Sequence, residues 1–201
     1  MKKLILTSLA CLIFAFSTQA QSQKIATIDV RKVLENYYLT WQEDAAYQQE
    51  NQRLVQEAAE AHKLYEAADK KFTEILNSTK AKDLPPEVLS KNEQEAAKAF
   101  EERKKLESAL ASFRENAIKN LAARKKRTQQ DILKKVNETI AKQAQKEGYT
   151  LVLNTSIDAS NPYRAVIFDS GKHDISDEIL LQLNATKPEK LAKPESLLLF
   201  N

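Results

Sequence analysis

The chain has 201 residues, a formal net charge of +3, one cysteine, two glycines, and 29% charged against 7% aromatic residues. One cysteine excludes an internal disulfide, so the fold rests on packing, and so small a net charge gives no electrostatic case for nucleic acid. The two glycines, Gly148 and Gly171, form no glycine-rich phosphate loop.

The first elements concern export. Lys2 and Lys3, the apolar run 4–16 and the small residues Thr18 and Ala20 are the three parts of a secretory leader, with cleavage expected after Ala20. One alternative is a membrane anchor, for which a largely apolar run of 13 residues falls short of the roughly 20 needed to cross a bilayer. Another is lipoprotein processing at Cys11, but the apolar stretch continues past it to Phe16, and Ser8 stands where such signals prefer Leu. Cleavage removes the only Cys and the only Met, and the loss of two lysines takes the charge from +3 to +1.

"KIATIDV" (24–30) is short and β-branched, and predicts a strand. Asp29 is placed to cap a helix over about 30–37, with Val30, Val33, Leu34, Tyr37 and Tyr38 on one side. Then comes a narrow stripe, Tyr47, Asn51, Leu54, Ala58, Ala61, Tyr65, Ala68, Phe72 and Ile75, in steps of three and four among charged residues. It ends in "NSTKAKDLPP", where Pro85 and Pro86 cannot lie inside a helix but can open one. A second long helix is expected over about 86–147, stopped by Gly148. Its stripe lapses at 122–131, "AARKKRTQQD", which has no large apolar side chain.

Folding back across the prolines, the two helices make an antiparallel hairpin over 40–147 with its turn near 77–86. A fold-back centre near 81–84 sets residue i beside roughly 165 − i, and so Phe72 beside Glu93. Residues 41–86 carry six basic and nine acidic groups, and 87–147 carry fifteen and ten, a weak attraction between the two limbs.

"TLVLN" and "AVIFD" predict two more strands, joined by the loop "IDASNPY" and close enough to pair as a hairpin. "DISDEILLQLN" predicts a short amphipathic helix through Ile175, Ile179 and Leu183. The tail, 185–201, reads as extended or disordered, with a small apolar end at 197–200. The fold class is therefore α+β. A small β-body from 21–39 and 148–184 accompanies a long antiparallel two-helix coiled-coil arm. The strands carry more apolar residues than a one-faced sheet needs: Ile25, Ile28, Leu151, Val152, Leu153, Val166, Ile167 and Phe168. That surplus points to a sheet completed by oligomerisation, with these residues at the oligomer core.

No catalytic constellation is visible, so the chain is not read as an enzyme and no cofactor or metal is expected. His62 lies on a solvated helix, and His173, near Asp169 and Asp174, lacks a third ligand in a fixed geometry.

The order of elements, with "DVRKVLENYY", "GYTLVL" and "DISDEILLQLN" at the two ends, resembles the Skp (OmpH-like) family of periplasmic chaperones over 24–184. The resemblance implies a homotrimer whose strands share one β-body. Three helical hairpins then enclose a cavity that holds unfolded outer-membrane proteins without ATP. It also implies a periplasmic location and peripheral contact with membrane or lipopolysaccharide, although a mature charge near +1 gives little electrostatic capture. Tyr37, Tyr38 and Trp41, where the arm meets the body, are read first as packing that joint, and as the second reading are candidate client contacts. So is the basic run Arg124, Lys125, Lys126 and Arg127, whose four successive residues spread around the helix and form no single face. The alternative from another class is a structural coiled-coil scaffold or spacer of the cell envelope.

Overall fold

The computed structural model describes residues 23–81, 84–156 and 165–200. The elements run β1 (Ile25–Ile28), α1 (Val30–Asn36), α2 (Tyr38–Ser78), α3 (Pro86–Glu147), β2 (Leu151–Asn154) and α4 (Ser176–Leu183). They fall into two compact units. A sheet unit comprises the chain up to Val33 with Asn137–Leu183, and a hairpin unit comprises Leu34–Val136 with the chain from Asn184 on.

In the sheet unit β1 and β2 are parallel, with Ile25 opposite Leu151 and Ile28 opposite Asn154. Parallel strands need a crossover, and here everything from α1 through α3 is that crossover in sequence. On the other edge of β1, Thr27 donates its N–H to the His173 carbonyl at 3.0 Å and accepts from the Ile175 N–H at 3.0 Å. This pairing corrects the expected hairpin of "TLVLN" with "AVIFD". Residues 165–169 form no strand, and the loop expected at 157–163 lies outside the described residues. A run that is apolar on successive positions needs cover on both faces, and a single chain leaves Ile167 90% and Phe168 83% exposed.

The core of this unit is Ala26, Ile28, Val33, Ile175, Ile179 and Leu183. Three of them follow the four-residue step that makes the apolar side of α4. Asp29 caps α1 as its position predicts, accepting the Lys32 N–H at 3.0 Å. Its own N–H donates to Ser176 Oγ at 2.8 Å, which ties the start of α1 to the start of α4. Gln143, buried near the end of α3, is satisfied rather than stranded. It donates to the Glu178 carboxylate and accepts from Gln182 Nε2 at 2.8 Å. The α3 terminus is a Schellman turn: Tyr149 N–H reaches the Ala144 carbonyl at 2.9 Å, Gly148 N–H reaches Gln145 at 3.2 Å, and Gly148 takes φ +72°.

The hairpin unit begins with a break. Tyr37 takes φ −81° and ψ 124°, separating α1 from α2. A break leaves carbonyls at one helix end and N–H groups at the other without partners, and the Asn184 carboxamide serves both. Its Oδ1 accepts the Tyr38 N–H at 3.0 Å, and its Nδ2 donates to the Asn36 carbonyl at 3.0 Å. Asn184→Ala removes two partly buried bonds, and should cost about 2 kcal/mol, read as a lower urea midpoint. Asn184→Asp, which keeps only the acceptor, should recover part of that loss.

The 41 residues of α2 make a rod of about 60 Å. It lies antiparallel to α3. Asp69 pairs with Arg103 at 3.0 Å, the rings of Phe72 and Phe100 are 5.6 Å apart, and Lys125 lies over Tyr47 at 5.9 Å. Each pair obeys one rule, residue i beside 172 − i, and not the expected 165 − i. The offset is one heptad. The stripe of α2 is the seam: Leu54, Ala58, Ala61, Tyr65, Ala68, Phe72 and Ile75 are all half-buried. A two-helix layer covers one narrow face of each rod, so Val55, Leu64 and Ile118 stay exposed although apolar.

Candidate functional site

Where the α3 stripe lapses, the gap is filled from the tail. Residues 184–200 form no helix or strand, yet Leu197 and Leu199 are buried. Asp44, a fully buried seam residue of α2, takes the N–H groups of Leu198 and Leu199 on one oxygen, at 2.6 and 2.7 Å. Its second oxygen accepts from Gln48 Nε2 at 2.6 Å. On α3, Lys125 Nζ donates to the Leu198 carbonyl at 2.6 Å, and Gln129 Nε2 donates to the Leu199 carbonyl. Two successive N–H groups converging on one anion form a nest. Both peptide groups are thus held at donor and acceptor ends, with no polar side chain of the tail involved.

Nearer the start of the tail, Thr186 Oγ1 lies 3.0 Å from the Tyr38 hydroxyl, Lys187 Nζ sits 4.3 Å from the centre of the Trp41 ring, and Lys193 donates to Asn36 Oδ1 at 2.9 Å. Trp41 is buried and donates Nε1–H to the Glu35 carbonyl at 2.8 Å. Tyr37 is 1% exposed and meets Tyr38 edge to face at 5.4 Å. Burial of Tyr37, with a smaller contribution from Tyr38, pushes its phenol up from an ordinary value near 10 to about 12. Between those values the unfolded chain ionises while the folded one does not. The stabilisation by the neutral phenol is therefore full below pH 10 and is lost as pH rises toward 12. Tyr37→Phe should flatten that alkaline loss of stability, measured as urea midpoints from pH 9 to 12.

A second surface lies midway along the seam. Leu64, Ala68 and Ile75 of α2 and Ala99 and Leu106 of α3 line an open groove. Beside it, the Arg103 guanidinium lies over both the Phe72 and the Phe100 ring, 5.3 and 5.4 Å from their centres. It is an apolar trough with charged lips, suited to many weak contacts with chain segments.

The remaining candidates fall as follows. Arg124, Lys126 and Arg127 are exposed, and Lys125 alone of the run turns into the seam. In the sheet unit Ile28 is buried, Val152, Leu153 and Val166 are half-buried, and Ile25, Leu151, Ile167 and Phe168 are exposed. Sequence reasoning missed Asp44 and Gln129. Their signals were an acidic residue one step before a mostly apolar stripe and a helix stretch with nothing to cover its own seam. Among the described residues no group of three metal-ligating side chains forms, and no helix is long and apolar enough to cross a membrane.

A long antiparallel helical hairpin, lying in sequence between the two strands of a small parallel sheet, defines a coiled-coil α+β protein. The family model described as outer membrane protein (OmpH-like) matches residues 24–183, and the chain belongs to that family. No curated protein matches the chain significantly. Membership is consistent with a periplasmic chaperone of outer-membrane proteins.

Proposed function

We propose that the chain is an ATP-independent periplasmic holdase. It binds unfolded outer-membrane proteins between the helical hairpins of a homotrimer and keeps them from aggregating. The observation that carries this reading is the OmpH-like match over 24–183, on a chain whose seam leaves apolar side chains such as Val55, Leu64 and Ile118 in water. Such side chains cost a soluble protein solubility, and they serve one that must touch unfolded chains weakly at many points. The trimer is supported by Ile25, Leu151, Ile167 and Phe168, which a single chain leaves uncovered around its two-stranded sheet. The leader at 1–20 supports export, with cleavage after Ala20.

The test is dilution of a urea-unfolded β-barrel protein into buffer with or without the mature protein, followed by light scattering. The expected result is suppression of scattering near one trimer per client. Unchanged scattering at stoichiometric amounts contradicts the reading, and favours an envelope scaffold.

A further inference from the structure

We infer that the groove bounded by Asp44, Lys125 and Gln129 is a peptide-binding site, that the chain's own tail is its resident occupant, and that an aliphatic segment of an unfolded polypeptide takes the tail's place. The inference deepens the holdase reading and rests on it for the identity of the ligand. Its physical basis is the way the tail is held. Four polar contacts hold Leu198 and Leu199 by their backbone: two N–H groups to Asp44, one carbonyl to Lys125, one to Gln129. Side chains enter only as apolar volume, with Leu197 and Leu199 buried and Leu198 turned outward at 42% exposure.

A site of this design reads any segment that can bend to present two successive N–H groups and bury two leucine-sized side chains. It does not read a particular sequence. Charge-assisted bonds to Asp44 and Lys125 are the stronger kind, and without the tail Asp44 loses two of them and keeps only the Gln48 Nε2 bond. The groove is therefore worse off empty than occupied. Helix α3 has no large apolar side chain of its own between 122 and 131, so some aliphatic segment has to complete the seam there. A tethered tail competes at an effective concentration in the millimolar range. It covers the groove when no client is present and yields to a client that engages several subunits at once.

Two substitutions in the full chain separate the parts. Leu199→Asp alters only the tail, so the tail no longer seats and the groove is left intact. Asp44→Ala alters only the groove. The probe is a fluorescein-labelled peptide, PESLLLF, corresponding to residues 194–200, and the readout is fluorescence anisotropy. The peptide should bind the Leu199→Asp protein at least tenfold more tightly than the unaltered protein, and the double variant should lose that gain. Equal affinity for all three proteins overturns the site. If Leu199→Asp lowers the helical circular dichroism, the question passes to the unaltered chain. Excess peptide should then speed hydrogen exchange at the Leu198 and Leu199 amides, and unchanged exchange overturns the site. Aggregation suppression, measured in parallel, keeps the two ideas apart. Suppression without peptide binding removes this groove and leaves the holdase, whereas peptide binding without suppression leaves the groove and removes the holdase.

Discussion

Ile167→Asp combined with Phe168→Asp is expected to leave the single chain folded and to dissociate the proposed trimer. Both side chains are almost fully in water in one chain, 90% and 83% exposed. Surface changes of this kind normally alter stability by no more than about 0.5 kcal/mol. In a subunit interface the same two side chains contribute about 4 kcal/mol per subunit by burial, and two carboxylates in their place add desolvation. The dissociation constant should therefore rise by about a thousandfold or more. Sedimentation of the variant should give the monomer mass with unchanged helical circular dichroism. Val152→Asp is expected to act in the same direction with some loss of fold, because Val152 is already half-buried opposite Ala26. A double variant that sediments like the unaltered protein would place the interface elsewhere.

The second large effect lies within the sheet unit. Ile179 is fully buried on α4, and Ile179→Ala removes three carbons from a small core. Such truncations cost about 2–5 kcal/mol, depending on how far the surroundings collapse. A unit built on two four-residue strands and one eight-residue helix has little more than that to lose. The urea transition should move to markedly lower concentration. Leu181→Ala, two residues along the same helix and exposed, should move it hardly at all. Equal effects of the two changes would mean that α4 does not bury the face assigned to it.

Particular residues show how far the sequence carries such an account. Asp29, Pro86 and Gly148 mark helix ends through chemistry that acts locally, and the helices begin or stop beside all three. The stripe of α2 is legible for the same reason, since a 3-4 step on a long polar helix has one physical use. The register is not legible in that way. A seam that repeats every heptad is satisfied equally well by a slip of seven residues, and the slip places Phe72 beside Glu93 instead of Phe100. What distinguishes the two is a few pairs, Asp69 with Arg103, Phe72 with Phe100 and Tyr47 with Lys125, whose pairing is a long-range fact. The strand expected at "AVIFD" failed differently. β-character without a neighbour makes no ladder, and β1 takes its second partner from 173–175 instead. The seated tail was foreshadowed twice, by its apolar end and by the gap at 122–131, but joining the two needs a fold in which residue 199 returns to residue 44.

The central claim is that this chain prefers unfolded client to folded. The direct measurement is binding of one β-barrel protein in two states to the labelled mature protein: unfolded after dilution from urea, and folded in detergent. The account predicts capture of the unfolded form at least a hundredfold more tightly. Equal affinity for the two forms, or preference for the folded barrel, would contradict it.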